Sequence, residues 1–374
     1  MSGNRYTPPS KNEAEISIFG PGVGECIVLH LGDFEWMVVD SCIDRESKKP
    51  IALQYLEKIG VDVTTAVKCF VATHWHDDHI SGAAQILKAC SSAQFVCSAA
   101  LIGDEFLQLV TLLGERSFMG NSGVDEFTQI FEELFRRSPN VRRQSVGPTW
   151  ARADLPILRL PKTDRSIRAE VFALSPSDAA ITLALHEIGQ LLPTPQTPKR
   201  RAVAQAPNHV SVALWVTVEN LHILLGSDLE HFPDERLGWK AVLLSPTKPS
   251  GKARVVKVPH HGSANAYCQD IWFDLLTPNP IALITPFSSG RKPLPTEDDI
   301  KRIRSHTSNI YCTGAPHGIR PHRLESPVER TIREMVRTRR VIQGPMGHIR
   351  VRYLLGIEGA NPTIDVFEGA RRFT

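Results

Sequence analysis

One short run of residues constrains this chain more than any other feature. At positions 73–79 the sequence is Thr-His-Trp-His-Asp-Asp-His. The apolar segment 67–72 before it predicts a buried β-strand, and residues 82–90 after it have apolar side chains at helical spacing. The run is therefore predicted to be a loop that leaves the end of a strand. Four of its side chains can bind a metal ion: His74, His76, Asp78 and His79.

The side chains of this loop favour a particular class of metal ion. Imidazole nitrogen and carboxylate oxygen are ligands that borderline ions such as Zn²⁺ accept, and a catalytic site keeps one position free for water. We expect two adjacent divalent ions, Zn²⁺ or Mn²⁺, that share and ionise a water molecule. The other interpretation is a surface loop that is merely rich in histidine. Four ligands at this spacing, directly after a strand, disfavour it.

Two later segments also place polar residues at the ends of predicted strands. Asp228 follows the apolar segment 221–225 and a Gly-Ser turn, where a carboxylate could bridge two ions. Its alternative role is to cap the start of a helix. His260 and His261 end the strand predicted at 253–258, and the glycine behind them lets a ligand approach the backbone.

Composition sets few limits on function. The formal net charge of +3 is too small to identify a nucleic-acid binder, although it would not repel an anionic substrate. The 7 cysteines form no CxxC pair, so we expect reduced thiols and a cytoplasmic protein. The N-terminus lacks the apolar core of a signal peptide, and no segment approaches the ~18 apolar residues of a membrane helix. We therefore expect no membrane partner.

Residues 15–19, 25–31 and 35–40 predict an opening β-meander, and residues 211–218 and 221–225 predict a hairpin around Glu219 and Asn220.

The order of predicted elements suggests one domain over residues 10–374. Residues 101–150 are predicted to be a helical insertion, and the proline-marked segment 178–207 is predicted to be a surface loop or lid. Residues 315–374 are predicted to form a C-terminal extension that closes the fold. No internal repeat is visible, although sheet-rich halves flank the middle.

The pattern formed by His74, His76, Asp78 and His79 resembles the HxHxDH motif of the metallo-β-lactamase superfamily. The early aspartate of that superfamily, at the end of a strand, is matched by Asp40. This resemblance implies an α/β fold, the four-layer αββα sandwich. It spans residues 16 to about 314 and leaves the helical insertion, the proline-marked segment and the C-terminal extension unexplained.

Within that superfamily, the chain is most similar to the soluble hydrolase domain of the DNA-uptake protein ComEC and to phosphorylcholine esterases. Three segments match their motifs: Asn208-x-x-Ser211, Leu-Gly-Ser-Asp-Leu-Glu at 225–230 and Lys-Val-Pro-His-His-Gly-Ser at 257–263. The motifs follow the same order in this chain as in those proteins. The similarity therefore implies chemistry on phosphate esters.

The resemblance also implies a set of metal ligands. The set is His74 and His76 for one ion, Asp78, His79 and His260 for the other, and Asp228 as the bridge between them. Asp40 would orient a ligand histidine.

Other matched residues would act on the substrate or on water. Asp77 could hold the reacting water, and Asp78 is counted with the catalytic residues as well as the ligands. His261 could hydrogen-bond a phosphate or protonate the leaving oxygen, or it could exchange roles with His260. Three more residues would support the ligands or contact the substrate: Asn208, Ser211 and Ser263.

One ligand common in the superfamily has no clear match. Many members supply another histidine between the first motif and the bridging aspartate, and here the candidates are His186 and His209, which lack a convincing motif. His209 is expected near the site rather than as a ligand. Without this ligand, the first ion would have an additional open position, suited to a substrate oxygen.

The function predicted from these features is metal-dependent phosphodiester hydrolysis, with DNA or RNA as the expected partner. One alternative is hydrolysis of a small ester, lactone or thioester, because the same activated water can attack a carbonyl carbon. Redox chemistry at two irons is disfavoured, because related redox proteins place a glutamate where His76 stands. A non-enzymatic sensor or scaffold would bind its partner through residues 101–143. The chain could also belong to a larger protein system.

Overall fold

The computed structural model describes most of the chain. The described residues are 4–20, 24–44, 46–101, 123–137, 147–161, 167–191, 208–287, 293–314, 331, 335, 346–357 and 359–373.

Two sheets of eight strands form the centre of the molecule. The first sheet contains β1 (Glu13–Gly20), β2 (Cys26–His30), β3 (Trp36–Val39), β4 (Val67–Ala72), β5 (Gln94–Ser98), β6 (Thr149–Ala151), β14 (Gly347–Leu354) and β15 (Thr363–Val366). Its strand order is β15-β14-β1-β2-β3-β4-β5-β6. The predicted opening meander is confirmed, because β1, β2 and β3 pair antiparallel. From β3 to β6 the strands run parallel.

The second sheet has the same size. It contains β7 (Leu155–Leu160), β8 (Ala169–Ala173), β9 (Leu214–Val218), β10 (Leu221–Leu225), β11 (Ala253–Lys257), β12 (Leu276–Ile284), β13 (Ile310–Cys312) and β16 (Arg371–Phe373). Its strand order is β16-β13-β12-β11-β10-β9-β8-β7. The hairpin predicted from residue 211 to 225 is confirmed by the antiparallel pairing of β9 with β10, and β10 to β13 run parallel.

Helices cover the outer face of each sheet. They are α1 (Ile51–Lys58), α2 (Val63–Ala66), α3 (Asp77–Ile80), α4 (Ala83–Ala89), α5 (Gly123–Arg137), α6 (Asp178–Leu191), α7 (Gly238–Leu244), α8 (Gln269–Asp274) and α9 (Glu297–Arg304). Apolar side chains of α1, α4 and α5 share one buried cluster with the first sheet, and those of α7, α8 and α9 share another with the second.

The two sheets pack face to face. Side chains from both inner faces, such as Ile18 and Val71 of the first sheet and Leu214 and Leu225 of the second, belong to one buried cluster. Strand residues alternate between this central cluster and the outer ones because successive side chains point to opposite faces of a strand. The layers are therefore helix, sheet, sheet and helix, which confirms the expected αββα sandwich.

The segment predicted as a loop or lid differs in part from that prediction. Residues 178–191 form α6, whose buried Ala180, Ala184 and Ile188 recur every four residues. This stripe gives the helix an apolar face, and the prolines that suggested a loop all follow it. Residues 192–207 lie outside the described part of the chain. In the predicted insertion 101–150, residues 123–137 form α5.

The end of the chain contributes strands to both sheets. β14 pairs with β1 over eight residues, β15 pairs with β14, and β16 pairs with β13. All seven cysteines are free and buried. None of the helices in the described ranges is long and apolar enough to cross a membrane.

Candidate metal centre

The loops that carry chemically reactive side chains all leave one edge of the sandwich. Parallel strands expose their carboxyl ends at the same edge of a sheet, and ligands commonly bind in the crevice outside those ends. The relevant residues follow five strands: Asp40 after β3, the loop 73–79 after β4, Asp228 after β10, His261 after β11 and Thr285 after β12.

Three groups of potential ligands lie at this edge: in one, Glu25, Asp40 and His79, the carboxylate of Asp40 already holds Nδ1 of His79, and the other two are called the ligand groups. The first contains His74, His76 and Asp228, and the second contains Asp78, His79 and His261. Within each group the ligand atoms lie within 4.8 Å of one another. Five of these six residues were predicted as ligands, and His261 was predicted as the neighbour of one.

The loop after β4 turns its histidines inward within a few residues. His74 is buried, and its Nε2 lies 3.1 Å from Nδ1 of His76, so the two rings face the same point. The carbonyl of His76 accepts the backbone hydrogen bonds that begin α3. Asp77 is exposed on the first turn of that helix and belongs to neither group. Its role in holding water remains a prediction.

Asp40 fixes the ring of His79. Its Oδ2 lies 2.7 Å from Nδ1 of His79, while its Oδ1 accepts a hydrogen bond from the backbone N–H of Thr73 at 2.8 Å. A carboxylate at Nδ1 holds one proton on that nitrogen, so a metal ion that displaces the proton of Nε2 would find the lone pair there. This Nε2 points towards Asp78 and Asp228, at 3.7 and 3.5 Å.

One oxygen of Asp228 lies between the two groups. Its Oδ2 is 3.9 Å from Nε2 of His74 in the first group. In the second group, the same oxygen is 3.5 Å from Nε2 of His79 and 3.6 Å from Nε2 of His261. The position is the one expected of a bridging carboxylate.

The consecutive histidines after β11 face different surroundings. Both have left-handed backbone conformations, with φ of 44° at His260 and 54° at His261. His261 is buried, its Nδ1 is 2.9 Å from the carbonyl oxygen of Thr285, and its Nε2 is 3.6 Å from Oδ2 of Asp78. His260 lies at the rim, with Nδ1 3.2 Å from Oε1 of Glu230. The ligand group therefore includes His261 where the sequence analysis placed His260.

Charge in the site is mainly negative. Burial lowers the pKa of His74 well below its ordinary value and also lowers the pKa of His76, so both rings are neutral and can bind a metal. Burial also lowers the pKa of His79, but the carboxylates of Asp228, Asp78 and Asp40 raise it well above the ordinary range. Such a concentration of buried carboxylates favours bound cations.

Unpartnered nitrogen atoms also indicate that these residues fit metal ions. Nε2 of His79 and Nε2 of His261 are buried and make no hydrogen bond. Buried polar atoms are normally hydrogen-bonded, and both nitrogens point at the carboxylates of Asp78 and Asp228 from 3.5 to 3.7 Å. The donor set of imidazoles and carboxylates is suited to zinc or manganese.

The other predicted support residues lie beside the ligand groups. Asn208 donates to Oε1 of Glu230 at 2.8 Å. Ser211 is buried next to Val212, whose N–H donates to the carbonyl of Thr73 at 3.1 Å, so this segment packs against the histidine loop. The N–H of Ser263 donates to the carbonyl of His260.

The candidates for a middle histidine lie elsewhere. His186 is exposed on α6. His209 is buried, with Nε2 3.6 Å from Oε2 of Glu187 and its ring against Phe232. Among the described residues neither joins a ligand group, so the first group has two histidines and the bridging aspartate.

Two charged residues beneath the ligands were missed as site residues by the sequence analysis. Glu25 is 1% exposed and Lys257 is fully buried, and Nζ of Lys257 lies 2.8 Å from Oε2 of Glu25. Burial lowers the pKa of Lys257, but Glu25 and Asp228 raise it above the ordinary value, so the amine is charged. The sequence offered a signal for Lys257, because a charged lysine there ends a mainly apolar strand.

Comparison with known proteins gives distant matches. No curated protein matches the chain. The metallo-beta-lactamase SMB-1 bound to 2-mercaptoethanesulfonate is 12% identical, over 63% of this chain and 70% of its own, with a TM-score of 0.28. The metallo-beta-lactamase fold protein YhfI from Bacillus subtilis is 11% identical, over 59% and 65%, with a TM-score of 0.28. The archaeal metallo-beta-lactamase superfamily protein ST1585 from Sulfolobus tokodaii is 11% identical, over 60% and 67%, with a TM-score of 0.27.

A family model gives the more specific result. Residues 19–102 match the model described as the metallo-beta-lactamase superfamily. The matched segment contains Asp40 and the histidine loop. Members are mostly hydrolases that use divalent metal ions, usually zinc. Over these residues the chain is similar to the metallo-beta-lactamase superfamily, and its αββα sandwich is the fold of that superfamily.

Proposed function

We propose that this protein is a metal-dependent phosphodiesterase that cleaves DNA or RNA at a site for two divalent ions. The observation that supports it most is the position of Asp228, whose Oδ2 lies within 3.5 to 3.9 Å of histidines from both ligand groups. A shared carboxylate suits a pair of ions rather than one. Zinc and manganese are the proposed metals, because all the ligands are imidazoles or carboxylates.

When bound, two such ions activate water and stabilise the negative charge that develops on a phosphate. The protein supplies the rest. His74 and His76 with Asp228 would hold one ion, and Asp78 and His79 with the same aspartate, together with His261, would hold the other. Asp40 keeps His79 in the ligand tautomer through the contact at Nδ1.

The rim of the site supports a phosphate substrate. His260 is partly exposed, and its Nδ1 faces Glu230, which directs Nε2 towards the ligand groups, 3.9 Å from Oδ2 of Asp228. Glu230 also accepts hydrogen bonds from Asn208 and Asn265, at 2.8 and 2.7 Å. Burial lowers the pKa of His260, but its contacts with Glu230 and Asp228 raise it above the ordinary value, so the protonated ring can donate from Nε2 to a substrate oxygen.

The first ligand group and the sequence motifs agree with this assignment. With two histidines and the bridging aspartate, the first ion would keep open positions for a substrate oxygen. The motifs at 208–211, 225–230 and 257–263 resemble those of ComEC-type hydrolase domains and phosphorylcholine esterases. The open positions at the first ion and the resemblance of the motifs both favour phosphate esters over the small esters, lactones and thioesters of the alternative hypothesis.

The test is cleavage of a phosphodiester by protein loaded with Mn²⁺ or Zn²⁺. Single-stranded DNA, RNA and a chromogenic bis-aryl phosphate are compared with a panel of chromogenic acyl substrates. His76→Ala and Asp228→Ala are expected to lower the rate at least about a hundredfold, because each removes a ligand. His186→Ala, which changes an exposed histidine outside both groups, is the matched control.

Two outcomes would contradict the proposal. One is that no phosphodiester is cut with either metal while an acyl substrate is. The other is that His76→Ala and Asp228→Ala retain the rate of His186→Ala.

A further inference from the structure

Lys257 is a buried cation held only by oxygen atoms close to the candidate metal centre. It is the last residue of β11 and is fully buried. Its Nζ donates to the carbonyl of Ser227 at 2.9 Å and lies 2.8 Å from Oε2 of Glu25 and 3.6 Å from Oδ1 of Asp228. Removing an ammonium group from water costs several kcal/mol, so this position needs those partners.

Glu25 connects Lys257 to both sides of the centre. Its Oε2 also accepts a hydrogen bond from the hydroxyl of Thr285, the first residue after β12. Its backbone N–H donates to the carbonyl of Asp78 at 2.8 Å. Glu25 directly precedes β2 of the first sheet, whereas Lys257 ends β11 and Thr285 directly follows β12 in the second sheet. One buried side chain therefore joins the loops of both sheets at the ligands.

The two oxygens of Asp228 have different neighbours as a result. Oδ1 faces the ammonium of Lys257 at 3.6 Å, and Oδ2 faces the histidines of both ligand groups. A positive charge on one side of the carboxylate opposes rotation that would turn Oδ1 away from it. Lys257 thus leaves Oδ2 as the oxygen presented to both groups.

His261 is held from the other end of the same network. Its Nδ1 lies 2.9 Å from the carbonyl and 3.2 Å from the hydroxyl oxygen of Thr285. The carbonyl can only accept, so Nδ1 carries the proton and Nε2 has the free lone pair. Because the hydroxyl of Thr285 donates to Glu25, the glutamate also fixes the side chain beside His261.

We propose that the buried Glu25–Lys257 ion pair positions Asp228 and His261 for metal binding. This inference rests on the proposed two-ion site. Both are positioning residues: Lys257 belongs to no group of potential ligands, and Glu25 belongs only to the group with Asp40 and His79, where its carboxylate is already engaged by Lys257 and Thr285. Stability alone does not account for the pair, since replacing a buried ion pair by uncharged residues is often neutral or stabilising.

The test separates positioning from folding by removing both charges together. The double variant Glu25→Gln/Lys257→Met leaves neither member of the pair as an unpartnered buried charge, and it removes the ammonium that faces Oδ1 of Asp228. The matched control is Arg350→Met/Asp365→Asn, a second buried ion pair at 2.8 Å on β14 and β15, away from the candidate centre. Each protein is stripped with a chelator, its thermal unfolding is recorded, and Mn²⁺ or Zn²⁺ is titrated by calorimetry. The absorption spectrum of the Co²⁺-loaded protein reports the geometry of the ligands.

Metal affinity of the Glu25/Lys257 double variant is expected to fall about tenfold to a hundredfold, the range found when residues that orient ligands are changed. The Co²⁺ spectrum should change as well. The Arg350/Asp365 variant should bind metal like wild type even if its stability is lower. Thr285→Val, which removes only the hydroxyl that donates to Glu25 at almost constant volume, should lower the affinity about tenfold.

Wild-type affinity and an unchanged Co²⁺ spectrum in the double variant would overturn the inference. If the double variant does not fold, wild-type affinity in Thr285→Val would overturn it. Failure of the proposed function looks different, because wild type itself would then bind no metal or cut no phosphodiester. Wild type that binds no metal would overturn both the proposed function and the positioning role of the ion pair. Wild type that binds metal but cuts no phosphodiester would overturn the proposed function alone, and the comparison of metal affinities would still decide the role of the pair.

Discussion

At the scale of single residues, the assignment of His261 as a metal ligand and of His260 as a residue at the rim can be measured. His261→Ala is expected to lose one of two bound metal equivalents, because its Nε2 faces Asp78 and Asp228 at 3.6 Å. His260→Ala is expected to keep both equivalents and to lower kcat about tenfold to a hundredfold, the value of one hydrogen bond to a charged group. Elemental analysis and steady-state kinetics on both variants check this. Loss of metal from His260→Ala, with full metal in His261→Ala, would restore the original assignment.

Protonation of His30 is opposed by the fold. The ring is buried at the end of β2, beside Trp36, and burial lowers its pKa from 6.5 to about 4. The unfolded chain takes up this proton at the ordinary pKa, so the contribution to stability is complete above pH 6.5 and is lost as pH falls towards 4.

Between about pH 7 and about pH 4, wild type should therefore lose about 3 kcal/mol more unfolding free energy than His30→Leu, which cannot take up this proton. Urea unfolding of both proteins across that interval measures the difference. The comparison with the variant removes the contribution of the other histidines. If the unfolding free energies of wild type and His30→Leu fell in parallel over this interval, the pKa of His30 would not be lowered by its burial.

The sequence identified ligands that belong to motifs, Asp228 among them, and missed Glu25 and Lys257, which only the fold brings to the site. His74, His76, Asp78 and His79 lie within one loop, so their spacing alone indicated a metal site. Glu25 lies 260 residues from Thr285, to which it is hydrogen-bonded, and an acidic residue after a glycine-rich turn is ordinarily exposed. The choice between His260 and His261 depended on two consecutive left-handed residues, which no local pattern specifies.

At the scale of elements, the candidate centre depends on close contact between the turn after β10 and the turn after β11. The N–H of Gly226 donates to the carbonyl of Lys257 at 3.1 Å, and the N–H of His260 donates to the carbonyl of Ser227 at 2.9 Å. A Cβ atom at Gly226 would lie 2.6 Å from Cγ of Pro259 and 2.9 Å from the carbonyl oxygen of Lys257. The turns approach this closely only because residue 226 has no side chain.

Gly226→Ala should therefore push the two turns apart. We expect a loss of about 1 to 3 kcal/mol in unfolding free energy, the usual cost of overpacking, together with weaker metal binding because Asp228 and His261 separate. Denaturant unfolding and metal titration measure the two effects. Gly147→Ala is the control, since a Cβ there meets nothing within 4 Å. Unchanged metal affinity in a destabilised Gly226→Ala would show that the turn does not set the ligand geometry.

Elements were predictable where the periodicity was strong and continuous. β4 was expected from its apolar run, and the β9–β10 hairpin was expected from two such runs around a polar pair. The helix α6 was missed because the prolines that follow it dominated the interpretation of 178–207. Its buried stripe consists of two alanines, Ala180 and Ala184, and one larger apolar residue, Ile188. Alanine contributes little to a hydrophobic periodicity, so the helical signal was weak.

At the scale of the whole molecule, the candidate centre joins the two sheets. Asp78 and His79 come from the loop after β4 of the first sheet, and Asp228 and His261 come from loops of the second. Without ions, the buried carboxylates repel one another across this junction. Bound metal should therefore stabilise the packing of one sheet on the other, since a ligand that binds only the folded state shifts the equilibrium towards it.

Removing the metal is expected to lower the unfolding free energy by about 4 kcal/mol when the free ion had been about a thousandfold above its Kd. For a chain of this length, that corresponds to a decrease of roughly 5 °C in Tm. Calorimetry with and without a chelator measures the change in wild type and in Asp228→Asn, which keeps the shape of the bridging residue but not its charge. The Tm of the variant should respond less to the chelator, because Asp228 belongs to the first group and faces the second. An equal response in both proteins would mean that the stabilising metal binds elsewhere and that the sheets are held together without this centre.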